Sequence, residues 1–460
     1  MVDSADEPTG GGDAAGKPAA PASLTLPKAM ELALGLQKGG LLDAAEEIYH
    51  RVLALVPEHV DALHYLGLSR HQRRDFEQAL ALVRKAVGLA PDHVDARNNL
   101  GNMLLERGEL DEAEEMYRQV LAQRPDHAHS HSNVGTVLKR KGDLVAAEAS
   151  FRHALALDPQ QAEAYHNLGG LLRETDRSDE ALTVFQRAMA LKPYDANSYR
   201  NVGATLCAVG RIGEAKGVYQ RWAELEPDNP IARHMVAACS DGEVPSRATD
   251  AFVEHTFDSF AASFDEVLAR LNYQAPALCA QAVADVLGVP AAALDVLDAG
   301  AGTGLCGPLL RPYARRLIGI DLSPGMLAEA RKRQAYDALE TAELTAFMAA
   351  HPGTFDLVVS ADTLVYFGEL AAALAAAGQA LRGDGLLVFT VEHAVPEPPA
   401  GYRLNPHGRY SHGEAYLRGA LAAAGLTPIT LANAHLRTEN RLPVDGLVVT
   451  ARRQPLSPPR

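Results

Sequence analysis

The chain has 460 residues, with 43 basic and 58 acidic side chains and a formal net charge of −15. That length exceeds one ordinary core and predicts two or three compact units. The acidic balance provides no global positive field for nucleic-acid backbones or an anionic membrane, so neither is expected as a partner. The four cysteines, Cys207, Cys239, Cys279 and Cys306, form no CxxC pair, which argues against a disulfide framework and a structural zinc site and fits a reducing cytoplasm. No basic region precedes an apolar run near the N-terminus, and no apolar stretch of about 18 residues occurs, so no signal peptide or spanning helix is expected.

Residues 1–23 are mostly Ala, Gly, Pro, Asp and Ser, a composition that cannot repay ordering entropy by burial, and are read as a disordered leader. From there the chain is periodic. Pro57, Pro91, Pro125, Pro159, Pro193 and Pro227 step by 34 residues, as do Gly67, Gly101, Gly135, Gly169 and Gly203 in one helix and Ala45, Ala79, Ala113, Ala147, Ala181 and Ala215 in the next. Large side chains follow at Tyr49, Tyr117, Phe151, Phe185 and Tyr219. A small residue is required where two helices cross closely, and proline ends a helix because it lacks an N–H and clashes with the preceding turn. These residues resemble the tetratricopeptide repeat family, which predicts an all-α solenoid over 24–240: about six helix pairs and a partial terminal helix in which Ala237 replaces the glycine.

Two features of the array bear on binding. Asn99, Asn133, Asn167 and Asn201 recur two residues before the glycines, although asparagine is a poor interior helix residue. Equivalent positions in stacked repeats form a row, and an amide both donates to and accepts from a peptide backbone, so these four are the expected contacts for a protein or peptide partner. Bonds between neighbouring repeats are the competing explanation. His127, His129 and His131 span a loop and the start of a helix, so the four-residue step from His127 to His131 does not set two histidines on one helical face, and His59 and His93 occupy the same repeat position as His127, so no metal is expected.

After about residue 248 the period stops, and apolar strands alternate with helices. Strands are expected at 294–299, 316–321, 355–361, 384–391, 427–434 and 446–451. Alternation implies a parallel sheet with helices on both faces. Only about a dozen residues separate the last two strands, so they should pair antiparallel at the sheet edge. The segment from Leu294 to Gly304 runs from a strand through Asp298 into alternating glycines, Gly300, Gly302 and Gly304, and then a helix, a turn that lets a ligand lie against main-chain atoms. Gly302, Gly304 and Gly307 also spell GxGxxG, and Asp321 ends the next strand, so a dinucleotide and another nucleoside cofactor both remain open on these residues.

Asp298 ahead of the glycines, the closing edge hairpin and the lack of a separate catalytic domain after the sheet resemble class I S-adenosylmethionine-dependent methyltransferases over roughly 290–453. With the repeats in front and Phe257, Phe260 and Phe264 leading in, the layout looks like a bacterial group of predicted tetratricopeptide-containing methyltransferases. The fold this implies is a doubly wound α/β domain with an antiparallel edge strand over 248–455, following the solenoid. The resemblance implies S-adenosylmethionine as cofactor, with Asp298 near its amino group and Gly300, Gly302 and Gly304 along its nucleoside and methionine. It further implies Asp321 on the ribose, Met326 or Leu327 on the adenine, and Glu343 where the family usually has Asp near the adenine amine.

Asp362 and Tyr366 follow the strand at 355–361, the fourth once a strand before Glu343 is counted, at the rim where open α/β sheets bind ligands. Asp362 is carried as a cofactor contact. Between the fifth strand and the next helix, the segment from Tyr402 to His412 is dense in groups able to bind or deprotonate an acceptor. His412 is the expected base, with Tyr410 beside it. Phe257, Phe260 and Phe264 fit either a cap over the cofactor or an apolar face packed on the sheet. The expected function is methyl transfer to an unidentified acceptor, with the array holding a partner. A non-catalytic adaptor with a degenerate second domain and an NAD(P)-dependent oxidoreductase are the alternatives.

Overall fold

The computed structural model describes residues 25–240, 242, 244–258, 260–439 and 442–454; the leader assigned to 1–23 lies outside them. The chain forms two compact units that meet in sequence at Asn167 and Leu168. Among the described residues the helix pairs are Leu26–Lys38 with Leu42–Leu55, Val60–Gln72 with Phe76–Leu89, Val94–Arg107 with Leu110–Gln123, Ala128–Arg140 with Leu144–Leu157, Ala162–Glu174 with Ser178–Leu191, and Ala196–Ala208 with Ile212–Leu225; Pro230–Ala238 follows. Each second helix ends two residues before a periodic proline, as a residue unable to continue a helix requires.

The glycines of the first helices face the aromatic column of the second. A methyl group on Gly101 would lie 2.6 Å from the Tyr117 ring and one on Gly135 2.7 Å from Phe151; in the second unit the corresponding figures are 2.5 Å for Gly169 against Phe185 and 2.3 Å for Gly203 against Tyr219. Val83 occupies the ring position in the second pair, 2.6 Å from a methyl on Gly67. The periodic histidines have a local role: Nδ1 of His59, His93 and His127 accepts from the N–H of Ala62, Ala96 and Ser130 at 3.1–3.2 Å, capping three helix N-termini. Asn133 donates to Asn98 and Asn102 of the preceding repeat at 3.3 and 3.0 Å, and Asn167 to Thr136 at 3.4 Å. The Asn99 amide lies 2.9 Å from His64 Nε2. These cross-repeat bonds give the asparagine row a structural use.

In the second unit the strands are β1 (Leu294–Ala299), β2 (Ala314–Asp321), β3 (Ala338–Thr341), β4 (Phe355–Ser360), β5 (Leu381–His393), β6 (Tyr402–Leu404), β7 (Tyr410–His412), β8 (Leu426–Glu439) and β9 (Leu442–Arg453). Strands β3, β2, β1, β4 and β5 are parallel neighbours in that order; β9 pairs antiparallel with β5, and β8 antiparallel with β9. The closing hairpin is therefore the expected edge. The strand before Glu343 had no range from sequence, and β6 and β7 were not expected. β3 is four residues long with two exposed positions. β6 and β7 form a hairpin that continues the sheet where Glu392 and His393 of β5 pair with Ser411 and His412. Side chains alternate between two cores: Leu297, Ile318, Val358 and Phe389 pack under helices Leu344–Ala350, Ala371–Ala380 and Glu414–Ala423, while Val296, Leu317, Leu357 and Val388 pack with helix Ala275–Leu287. This two-sided burial is the doubly wound pattern. No described helix is long and apolar enough to cross a membrane.

The close glycine–ring contacts set a test of the repeat packing. Gly135→Val should cost about 1–3 kcal/mol, the range for overpacking a filled core, and Phe151→Leu in the same chain should recover part of it. Urea denaturation checks both; equal stability of Gly135→Val and wild type would show that the crossing has room to spare.

Candidate functional site

A cavity of about 310 Å³ opens among the glycine turn, the segments after β2 and β4, and the helices Asp250–Asp258 and Phe264–Arg270. The turn is built from left-handed backbone: φ is +85° at Gly300, +55° at Gly302 and +82° at Gly304, values that strain any residue with a side chain. A methyl on Gly300 would collide with Thr363 at 2.2 Å, whereas one on Gly302 would meet nothing within 4 Å. The N–H of Gly302 donates to Asp321 at 2.9 Å, and Ser323 N–H donates to the other oxygen of Asp321 at 2.9 Å. Asp321 lines the cavity, and burial pushes its carboxyl up although these backbone donors oppose the shift.

The predicted cofactor residues separate into two layers. Gly300, Gly302, Asp321, Met326, Glu343 and Asp362 line the cavity. Asp298, Gly304 and Leu327 stand behind it. Asp298 is fully buried; its Oδ2 accepts from the Tyr336 hydroxyl at 2.6 Å, and its Oδ1 has no partner among the described residues. Burial pushes this carboxyl up to about 7, more than the Tyr336 bond lowers it. Gly304 is packed against Tyr336 and Ala330, and Leu327 is fully buried. Glu343 caps helix Leu344–Ala350, accepting from Thr345 and Ala346 N–H at 3.0 and 2.8 Å, with Arg247 3.5 Å away. Phe257, Phe260 and Phe264 line the cavity and contact one another, with ring centroids 5.5–5.9 Å apart. Their rings face the cavity, so they are not spent on an apolar face packed against the sheet alone. Asp258, on the first capping helix, accepts from Ser323 and from Gly325 N–H, and Asp265, on the second, from Thr303 and Arg333.

The expected base is displaced by the geometry. His412 and Tyr410 lie in β7, fully buried and outside the cavity lining. Nε2 of His412 donates to Gly368 O at 3.0 Å, and burial pushes the imidazole down to about 4. The Tyr410 hydroxyl donates to Pro245 O at 2.8 Å. The hairpin that buries them delivers the intervening side chain instead: Arg409 lines the cavity, with Tyr366, Arg437 and Glu439. There Arg437 Nη1 donates to both oxygens of Asp362 at 2.8 and 2.9 Å, its Nη2 to Glu392, and its Nε to Glu439 at 2.6 Å. Arg409 donates through Nε to Glu392 and through Nη2 to both oxygens of Glu439, each at 2.7 Å. Burial opposes ionisation of Glu439, but the two guanidiniums hold its carboxyl at about 2. Asp362 has φ +55°, uncommon for a residue with a side chain although Asp is among those that adopt it most readily.

Arg437, Glu439, Glu392 and Tyr336 were not anticipated as site residues. One signal was present: Glu392 ends the run Leu386–Val391 with a charge, whereas Arg437 and Glu439 fall between the strands expected at 427–434 and 446–451.

Fold and cavity define a tetratricopeptide array followed by a class I methyltransferase domain. Residues 19–254, just over half of the chain, match the family described as the Cilia and flagella-associated protein 70 C-terminal domain, a tetratricopeptide family, and the chain belongs to it. Residues 297–389 match the family described as a methyltransferase domain. Methyltransferase-like protein 27 of Homo sapiens is 36% identical over 112 residues, covering 24% of this chain and 46% of that protein. A malonyl-[acyl-carrier protein] O-methyltransferase of Acetivibrio thermocellus is 37% identical over 99 residues, 21% of this chain and 35% of that one. Aklanonic acid methyltransferase DauC of a Streptomyces species is 30% identical over 148 residues, 30% and 64% of the two chains. The chain thus spans less than two thirds of each of these relatives. Among solved structures, a thermophilic tetratricopeptide protein of Thermus thermophilus is 25% identical, with 39% of this chain and 97% of that chain covered at a TM-score of 0.35.

The buried Asp298 makes a pH-dependent contribution. Its folded pKa lies above its ordinary value of 3.8, so the native chain binds the proton more tightly, and the carboxyl lowers stability as pH rises from about 4 through 7. Asp298→Asn keeps an acceptor for Tyr336. It should flatten that dependence and raise stability at pH 8 by about 1 kcal/mol or more. Thermal melting between pH 5 and 8 checks this; a profile unchanged by the substitution would contradict it.

Proposed function

We propose that the second domain transfers a methyl group from S-adenosylmethionine to an acceptor, and that the array, taken as 24–240 ahead of a catalytic domain at 248–455, binds a protein or peptide partner in the cytoplasm. The observation that carries the reading is the cavity wall made by Gly300, Gly302 and Asp321 at the carboxyl ends of adjacent parallel strands, the place where open α/β sheets bind ligands.

The residues present fit the cofactor. Gly302 faces open space and admits a nucleoside against the main chain. Each Asp321 oxygen accepts one backbone N–H and keeps a lone pair for a ribose hydroxyl. Met326 supplies an apolar surface for the adenine, and Glu343 faces the same space. Asp298, one layer behind the turn, holds through Oδ2 the Tyr336 ring that packs on Gly304, and its Oδ1 has no partner among the described residues. When bound, the cofactor supplies a methyl carbon activated by its sulfonium charge. Asp321, whose partners are backbone N–H groups and not a cation, favours that positive charge, and the phenylalanine cap excludes water from it. The cavity of about 310 Å³ falls within the range of small-molecule sites.

Asp321→Ala should weaken S-adenosylmethionine binding by about 1.5–3 kcal/mol, roughly 10- to 150-fold, the magnitude of bonds to a charged group. Gly302→Val, which fills the open space, should do at least as much. Calorimetry on folded variants checks both, and unchanged affinity in the two would remove the cofactor assignment.

For the array, Asn99, Asn133, Asn167 and Asn201 remain the proposed peptide contacts. The first three use the amide group within the array, which leaves the side-chain carbonyl for a peptide N–H. Replacing Asn133 and Asn167 together by Ala should cost about 1–3 kcal/mol of partner binding, at about 0.5–1.5 kcal/mol per hydrogen bond. The partner is captured with the full chain and titrated against the double variant. Equal binding with lowered thermal stability would restrict the asparagines to joining repeats.

A further inference from the structure

The polar end of the cavity has more hydrogen-bond donors than it can use internally. Its carboxylates are all engaged: Asp362 by Arg437, Glu439 by Arg409 and Arg437, and Glu392 by both guanidiniums, with His407 at 3.4 Å. Two donors are left over. Arg409 uses Nε and Nη2 on Glu392 and Glu439, while its Nη1 and the Tyr366 hydroxyl have no hydrogen-bond partner among the described residues. Both side chains line the cavity. Burial raises the Tyr366 hydroxyl to about 12, so it keeps its proton and donates. The Arg409 fork is fixed along two edges, which leaves the third pre-positioned.

A ligand group that satisfies leftover donors must be an acceptor, and a negatively charged one gains most in a site shielded from water. An ammonium would meet Arg409 with like charge and find the carboxylates already paired. An alcohol or phenol would arrive protonated and need a base. His412 is outside the cavity, and His407 is held against Glu392 with its imidazole pushed down to about 4, chiefly by burial. A carboxylate needs none.

On the reading that this domain is a methyltransferase, we propose that Arg409 and Tyr366 form its acceptor site and that the acceptor is a carboxylic acid held by its carboxylate. One carboxylate oxygen forms the bond to the methyl carbon as the carbon–sulfur bond breaks. The electron pair of the broken bond stays on sulfur, no proton moves, and the product is a methyl ester.

The test measures binding first. The full-length protein, saturated with S-adenosylhomocysteine, is titrated by calorimetry with 3-phenylpropanoate and with 3-phenylpropanamide, which has a similar shape without the charge. The acid should bind at least about tenfold more tightly, on the greater strength of charge-assisted bonds. Arg409→Gln should abolish the preference and Tyr366→Phe reduce it several-fold. Tyr366→Phe leaves the ion pairs intact and serves if Arg409→Gln fails to fold. Equal affinity for acid and amide, or no binding of the acid, overturns the site. In the second arm, label transferred from radioactive S-adenosylmethionine to acceptors in cell extract should be released as volatile methanol by mild alkali. Alkali-stable label overturns the carboxylate assignment and leaves methyl transfer standing. Absence of S-adenosylhomocysteine binding at the outset would instead count against the cofactor reading.

Discussion

The second domain depends on the reversal after β1. The chain leaves the sheet at Ala299 and turns through left-handed backbone at Gly300, Gly302 and Gly304, with Thr363 closing on one glycine and Tyr336 on another. A side chain at Gly300 would be both strained and in collision. The turn is held from two sides: Asp321 receives the Gly302 N–H, and Asp298 beneath it receives the Tyr336 hydroxyl. Because β1 and β2 are parallel and in register from Asp295 to Ala299, both aspartates arrive at the same end of the sheet. The cavity is what this crowded turn leaves open.

The opposite wall obeys a different constraint. A buried guanidinium, Arg437, and a half-buried one, Arg409, among three carboxylates are costly unless the charges are paired and bonded. Here Arg437 reaches Asp362, Glu392 and Glu439, so β8, β5 and the segment after β4 are joined through one side chain. The β6–β7 hairpin adds Arg409 to the same network. It is also gripped from outside: His234 of the helix Pro230–Ala238 donates to Gly408 O at 2.8 Å and stacks on Phe252 of the first capping helix at 3.9 Å. One end of the cavity is therefore shaped by backbone conformation and the other by charge pairing. The proposed function assigns the cofactor to the first end and the acceptor to the second.

The first of these ends was legible in the sequence and the second largely was not. A strand running into alternating glycines, followed one strand later by Asp321, is a local pattern, and the 34-residue steps of proline, glycine and alanine are local in the same sense. Each reflects a backbone requirement that only a few residue types meet. The polar end is assembled from residues far apart in the chain: Asp362, Glu392, Arg409, Arg437 and Glu439 meet through strand pairings that no spacing reveals. The same limit misplaced His412 and Tyr410. Their segment shows no strand in the sequence because three-residue strands carry no periodicity. As part of the sheet it turns Tyr410, Ser411 and His412 into buried positions and leaves Arg409, the residue before the strand, to enter the cavity. Asn133 and Asn167 were legible as a row, but their bonds to Asn98, Asn102 and Thr136 follow from how repeats stack.

The central claim is that the glycine turn and Asp321 hold S-adenosylmethionine. The most direct measurement is a calorimetric titration of the full-length protein with S-adenosylmethionine, set beside identical titrations with NAD and NADP. One-site saturable binding of S-adenosylmethionine with no measurable heat from either dinucleotide is the expected result. Tighter binding of NAD or NADP, or no binding of S-adenosylmethionine by the folded protein, would contradict it.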